Sequence, residues 1–322
     1  MERYDNYRYK DMLSNFIKFT ENNKLKVDSI IISVDGNRYA HTFTDDSRKN
    51  VRSISKTVSC LGIYKAIESN LFDLDSPVMS YFDDIEIQNK DNLDYLSELK
   101  IRHLLTLTMG HEKGLMLRKD YNSLPTDTDY ISYILNYPIV REPGTFFVYN
   151  NAATYLLSAI VQKLTSMYFD EWVHETVLKH IGIEKPQWER TSQGICFGAT
   201  GLYLNNDEMH SIGLLLLNRG KYNNSQIIKD SWVDAMHEPH IHNPGFNKYD
   251  ATQSGKMDKI AYGYHIWVCG DGGDRYPNTH YYCDGADGQF LIVSPKQNMV
   301  ITALSHQKKT GPLYDILGEY LL

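Results

Sequence analysis

Cysteine is scarce and unpatterned: four residues in 322, at positions 60, 196, 269 and 283, with no C-x-x-C among them. That rules out a disulfide mini-scaffold, and reduced thiols are expected. Proline and glycine are few, 10 and 21, which excludes collagen and a disordered low-complexity chain. Basic residues are outnumbered, 33 against 40, for a formal net charge of −7. This balance argues against nucleic acid as a partner. No window approaches 18 consecutive apolar residues, so no membrane-spanning helix is expected. The opening run MERYDNYRYKDM is charged where a secretory leader needs an apolar stretch. The expectation is a cytoplasmic protein whose partner is a small molecule or short peptide, with no membrane contact. The oligomeric state is not legible.

Motif absences narrow the field further. There is no G-x-S-x-G, no G-x-x-x-x-G-K-[ST], no G-x-G-x-x-G and no H-E-x-x-H. His237-Glu238-Pro239-His240-Ile241-His242 has H-E-x-H spacing, and Pro239 breaks any helix that would align the imidazoles. It reads as a surface loop, and neither a metal nor a cofactor is expected.

What is present alternates irregularly. Met12, Phe16 and Phe19 mark an amphipathic first helix. Ser29–Val34, the Asp35-Gly36 turn and Tyr39–Phe43 form a hairpin signal. Residues 53–70 read as a helix buried on most sides, since between Val58 and Tyr64 only Ser59 is clearly polar. The stretch from about 72 to 200 reads as mainly helix and loop, including the Ala153–Leu164 face, and 206–218 follows as another helix. Strand patterns return at Tyr262–Val268, Gln289–Val293 and Met299–Leu304, and a closing helix carries Leu313, Ile316 and Leu317. The expected fold is α+β: an antiparallel sheet built from both ends of the chain and flanked by helices, with an inserted mainly helical domain. Residues 1–60 and 201–322 would form the sheet domain and 61–200 the helical one. The cleft between them is the natural place for an active site.

Two short motifs carry chemistry. Ser53-Ile54-Ser55-Lys56 opens the buried helix, and residues i and i+3 share a face, so the Lys56 ammonium lies beside the Ser53 hydroxyl. A serine hydroxyl becomes a useful nucleophile only when a base takes its proton. Lysine can serve if its pKa falls toward 7, a differential cost of about 4 kcal/mol that burial on an apolar helix can supply in part. The Ser53 backbone N–H at the helix start is a candidate oxyanion donor. The bare pattern recurs at Ser97 and Ser305, but only Ser53 follows the hairpin and opens an apolar helix. The second motif is Tyr149-Asn150-Asn151, in which Asn151 also reads as an N-cap for the helix that follows.

Together these segments are identified with a known family. RSISKTVSCLGIYKAIESNLFDLDSPVMSY (52–81), IRHLLTLTMG (101–110), PGTFFVYNNAATYLLSAIVQKLT (143–165), the stretch 201–233 and YGYHIWV (262–268) resemble the serine penicillin-recognising hydrolases. That group holds class C β-lactamases, D-alanyl-D-alanine carboxypeptidases and related esterases and amide hydrolases. The resemblance runs from about residue 10 to the end. It implies Ser53 as the acylated nucleophile, Lys56 as its base or proton partner, Tyr149 as the second proton carrier and Asn151 as a substrate-orienting side chain. It leaves open which of Lys56 and Tyr149 takes the serine proton.

The family's third motif, K-T-G, has a literal copy at Lys309-Thr310-Gly311. That copy follows the last hairpin, whereas the family motif precedes it. The segment in the right place is Tyr281–Gln289, which resembles a D-G-A-x-G-Q variant. Cys283-Asp284-Gly285 then replaces K-T-G, Ala286 would supply the second oxyanion N–H, and Gly285 permits close backbone approach. Cys283 reads as a small buried residue rather than a nucleophile. Asp284 would put negative charge near the substrate, so a neutral or cationic group is expected to be preferred over a carboxylate. The activity implied is ester or amide hydrolysis through an acyl-serine. The alternatives are a catalytically silent binding relative, and a true β-lactamase or D-Ala-D-Ala carboxypeptidase.

Overall fold

The computed structural model describes residues 2–121, 123–242, 257, 259–269 and 280–321. Eight strands form one antiparallel sheet: β1 (Val27–Val34), β2 (Asn37–Thr42), β3 (Ile241–His242), β4 (Lys259–Tyr262), β5 (Trp267–Cys269), β6 (His280–Gly285), β7 (Gln289–Ser294) and β8 (Met299–Ser305). Their order is β2-β1-β8-β7-β6-β5-β4-β3. The first hairpin therefore joins the C-terminal meander through the β1–β8 ladder, in which Ile32 faces Ile301.

The turn chemistry of the first hairpin is as the sequence predicts. Asp35 and Gly36 both take positive φ, 48° and 78°, the conformation a two-residue hairpin of this hand requires. One expectation changes. The 262–268 stretch is not one strand but the ends of two, β4 and β5, joined by a tight turn. His265 turns it with φ 56°, and at Gly263 a Cβ would lie 1.9 Å from the Met236 carbonyl oxygen. Only glycine admits that contact, and the apolar residues around it gave no turn signal.

The longer helices are α1 (Glu2–Asn22), α2 (Ile54–Glu68), α3 (Ala152–Thr165), α4 (Phe169–Thr176), α5 (Asn206–Leu217), α6 (Asp230–Met236) and α7 (Gly311–Gly318). Alternation along β1 assigns its two faces. Ser29 and Ser33 bond to Asn206 and His210 of α5, while Ile30 and Ile32 are fully buried on the opposite face. Tyr320, just beyond α7, ties its hydroxyl to the Met12 carbonyl of α1, so the chain's two end helices are pinned together. Helix α5 begins with a capping box, Asn205 and Glu208 each bonding the other's backbone N–H.

Helix α2 is the central element. Twelve of its fifteen residues are buried, among them Ser55, Lys56, Thr57 and Ser59. It packs against α3 and α4 on the helical side and against β6 and β7 on the sheet side. A helix enclosed on all sides needs its polar side chains satisfied internally. They are: Ser55 donates to the Arg52 carbonyl, Thr57 to that of His265 and Ser59 to that of Gly198.

Candidate active site

Ser53 stands at the mouth of α2, and its local geometry is unusual for a helix start. A capping serine normally adopts extended φ/ψ and turns its hydroxyl onto the first-turn N–H groups. Ser53 instead has φ −71° and ψ −8° and makes no capping bond. Arg52 before it is held at φ 55°, with its N–H donating to Asn50 Oδ1 at 2.9 Å. The Ser53 hydroxyl is thereby left for another partner. Lys56 Nζ lies 3.4 Å from Ser53 Oγ.

Lys56 is 1% exposed. Its ammonium nitrogen also donates to Asn151 Oδ1 at 2.5 Å and to the Ala199 carbonyl at 3.2 Å. Burial holds its pKa down to about 7, with Asp284 pulling in the opposite direction. The Tyr149 ring covers it, centroid 4.7 Å from Nζ, and itself stacks on Trp267 at 5.6 Å and 13°. Asn151 does not act as a cap. It spends its amide on the Met116 carbonyl at 2.7 Å and its oxygen on Lys56. The capping role for α3 passes to Asn150, whose Oδ1 accepts from the Ala153 N–H at 2.9 Å.

Across the cleft, the end of β6 comes against the Ser53 segment. A Cβ on Gly285 would sit 2.4 Å from the Val51 carbonyl oxygen and 2.9 Å from Arg52 Cβ. That absence of a side chain brings Ala286 to the cleft wall beside Ser53. Among the described residues, neither the Ser53 nor the Ala286 backbone N–H has an acceptor within the protein. Two unclaimed backbone donors on residues that line one cleft with a serine hydroxyl are the groups an oxyanion hole needs.

Ser53, Tyr149, Asn151 and Ala286 line a cleft of about 670 Å³. Lys56 lies beneath it. Asp284 and Gly285 are not on its lining, and here the geometry departs from the sequence reading. The Asp284 carboxylate turns to Lys259 Nζ, 2.8 Å away, and accepts from the Tyr314 hydroxyl of α7. Burial raises its pKa, but Lys259, Tyr314 and Trp267 together outweigh that and leave it below the ordinary carboxylate value. The charge expected near the substrate is thus neutralised inside the protein. Lys259, which drapes over Trp267 with Nζ 4.6 Å from the ring, has no motif around it that would single it out in the sequence.

The remaining candidates fall outside the cleft. Cys283 is buried, its thiol pushed up to about 12 mainly by desolvation, so little nucleophilic thiolate exists at neutral pH. Lys309 is exposed on a separate groove with Lys26, Arg118 and His306. His237 stacks on Tyr281, and His240 stacks on Tyr264. No helix among the described residues is long and apolar enough to cross a membrane.

The family model described as Beta-lactamase matches residues 15–321. The chain belongs to the beta-lactamase family. Solved structures of that fold superpose over nearly the whole chain. An octameric penicillin-binding protein homologue from Pyrococcus abyssi aligns with a TM-score of 0.73 at 18% identity, covering 97% of this chain and 76% of that one. EstCE1, described as a hydrolase with promiscuous acyltransferase activity, gives 0.74 at 15%, covering 97% and 99%. A class C beta-lactamase gives 0.73 at 15%, covering 98% and 97%. At these identities the likeness speaks for the fold. On β6 no lysine precedes Asp284, and the cation that meets its carboxylate arrives from β4.

Proposed function

We propose that the protein is a serine hydrolase that cleaves an ester or amide through an acyl-Ser53 intermediate. The observation that carries this is a cleft-lining hydroxyl with no capping bond, 3.4 Å from a fully buried lysine amine whose pKa is held to about 7. Near neutral pH an appreciable part of Lys56 is neutral and able to accept a proton. Ser53 Oγ attacks the substrate carbonyl and its proton passes to Lys56 Nζ. The oxyanion that develops meets the backbone N–H groups of Ser53 and Ala286. Tyr149, whose ring covers Lys56, relays the proton to the leaving oxygen or nitrogen. Water then repeats the sequence on the acyl-enzyme, with the catalytic groups restored at the end. Asn151 holds the Lys56 amine in place through its side-chain oxygen.

A fluorophosphonate probe read by intact mass tests this directly. The native protein should gain one adduct, mapping to the peptide that contains Ser53, and Ser53→Ala should gain none. Labelling that survives in Ser53→Ala, or that maps to Cys283, overturns the proposal. Running ester, amide and β-lactam probes in parallel identifies which acyl class is accepted.

A further inference from the structure

Four side chains that carry a full charge at neutral pH border the cleft, and their charges are not equally committed. Arg52 pairs with Asp287 at 3.0 Å. Arg190 forms a two-pronged bond with Asp170 and lies over the Tyr168 ring at 3.6 Å. Arg118 is exposed and also borders the neighbouring basic groove, where water and salt screen it. Glu189 is half-buried, and among the described residues no cation lies within 4 Å of it.

Glu189 is nonetheless held rigidly. Its backbone N–H donates to the Gly201 carbonyl, and its own carbonyl accepts from the Phe197 N–H. Its Oε1 accepts from the Tyr203 hydroxyl at 2.8 Å and from Asn50 Nδ2 at 3.4 Å. Its Oε2 accepts nothing among the described residues. Gly201 makes room for it, since a Cβ there would lie 2.7 Å from Glu189 Cβ. The same cleft wall carries the rings of Tyr130, Phe197 and Tyr203. A fixed carboxylate with one open oxygen, set among aromatic faces, suits an ammonium twice over: by charge-assisted hydrogen bonding and by attraction to the ring faces. The rings also accept a neutral alkyl group by apolar burial, so discrimination falls to the carboxylate, which repels a substrate carboxylate and gives no charge-assisted bond to an alcohol. Asn50, which grips the carboxylate, lies three residues before Ser53, so this wall adjoins the nucleophile.

We propose that Glu189 is a subsite for a substrate ammonium group, so that the cleft selects amine-bearing esters or amides over neutral ones. The substrate class rests on the hydrolase reading above, but the binding does not depend on acylation. Titration calorimetry of the native protein with hexylammonium, 1-hexanol and hexanoate separates the two claims. Hexylammonium should bind about tenfold more tightly than the alcohol, with hexanoate weakest. Glu189→Gln, which keeps the side-chain shape, should bring ammonium and alcohol within about twofold of each other. Equal affinity for the two in the native protein, hexanoate as the tightest ligand, or an ammonium preference unchanged in Glu189→Gln overturns the subsite. The native order needs no variant, so it decides even if the substitution unfolds the chain. Loss of Ser53 labelling alongside a retained ammonium preference would sink the hydrolase reading and leave the subsite standing.

Discussion

Lys56 shows what burying a single amine does to the stability of a fold. Its ordinary pKa of 10.5 is held to about 7 in the folded chain, because burial penalises the ammonium more than Asp284 rewards it. Between those two values the unfolded chain carries a proton that the folded chain does not. Stability must therefore rise with pH across that window, and be lost again as pH falls toward 7. The comparison that isolates the group is native protein against Lys56→Met, by urea unfolding at several pH values. The difference should grow in favour of the native protein by on the order of 3 kcal/mol from pH 7 to about 9.5. The same neutral amine should make Ser53 labelling rise with pH up to about 7 and then level off. A stability difference that stays flat with pH would mean that Lys56 is not held neutral by the fold. The S-x-x-K spacing made this pairing legible in the sequence, but the absence of a cap at Ser53 was not. That depends on Arg52 adopting a left-handed conformation, which nothing in its residue type announces.

At the scale of one element, the start of α3 divides two tasks between adjacent asparagines. The sequence presents Tyr149-Asn150-Asn151 and offers Asn151 as the cap. The backbone decides otherwise: Asn151 is already at φ −101° and ψ −18°, which points its side chain inward to Lys56, and Asn150 takes the cap. Asn150→Ala should therefore cost ~1 kcal/mol of stability and leave the rate of Ser53 labelling within about twofold. Asn151→Ala strips Lys56 of its shortest bond and leaves the Met116 carbonyl without its donor. Labelling should fall by about tenfold or more. Urea melts paired with labelling rates on both variants check this, and equal rate losses in the two would show that the tasks are not divided. The first hairpin was legible for a related reason, because Asp-Gly declares its own φ requirement. The β4–β5 turn was not, because its need for Gly263 comes from Met236, far away in the chain.

Across the whole molecule, the meander brings together residues that no local pattern connects. Lys259 belongs to β4 and Asp284 to β6, with β5 between them in the sheet order. The lysine crosses that strand over the Trp267 ring to reach the carboxylate, and Tyr314 arrives from α7 to complete the group. The antiparallel sheet assembled from both chain ends was readable from hydrophobic patterning. A lysine spanning two strands was not, since sequence reasoning matched only the place of the missing K-T-G lysine. The pair does more than fill space. Asp284 acts on Lys56 in the direction that raises its pKa, so Lys259 shields the Lys56 amine from a nearby negative charge. Lys259→Met would leave a mostly buried carboxylate, 19% exposed, without its counter-charge. It should destabilise the fold by about 3–5 kcal/mol, and the pH at which Ser53 labelling is half-maximal should move upward. Adding Asp284→Asn removes the uncompensated charge and should restore both the stability and the native midpoint. The measurement is the pH profile of labelling in the native, single and double variants, with melts beside it. If the single variant keeps the native midpoint, the ion pair supports the sheet but leaves Lys56 untouched. If the double variant fails to recover it, Lys259 acts through the Trp267 and Tyr149 stack rather than through Asp284.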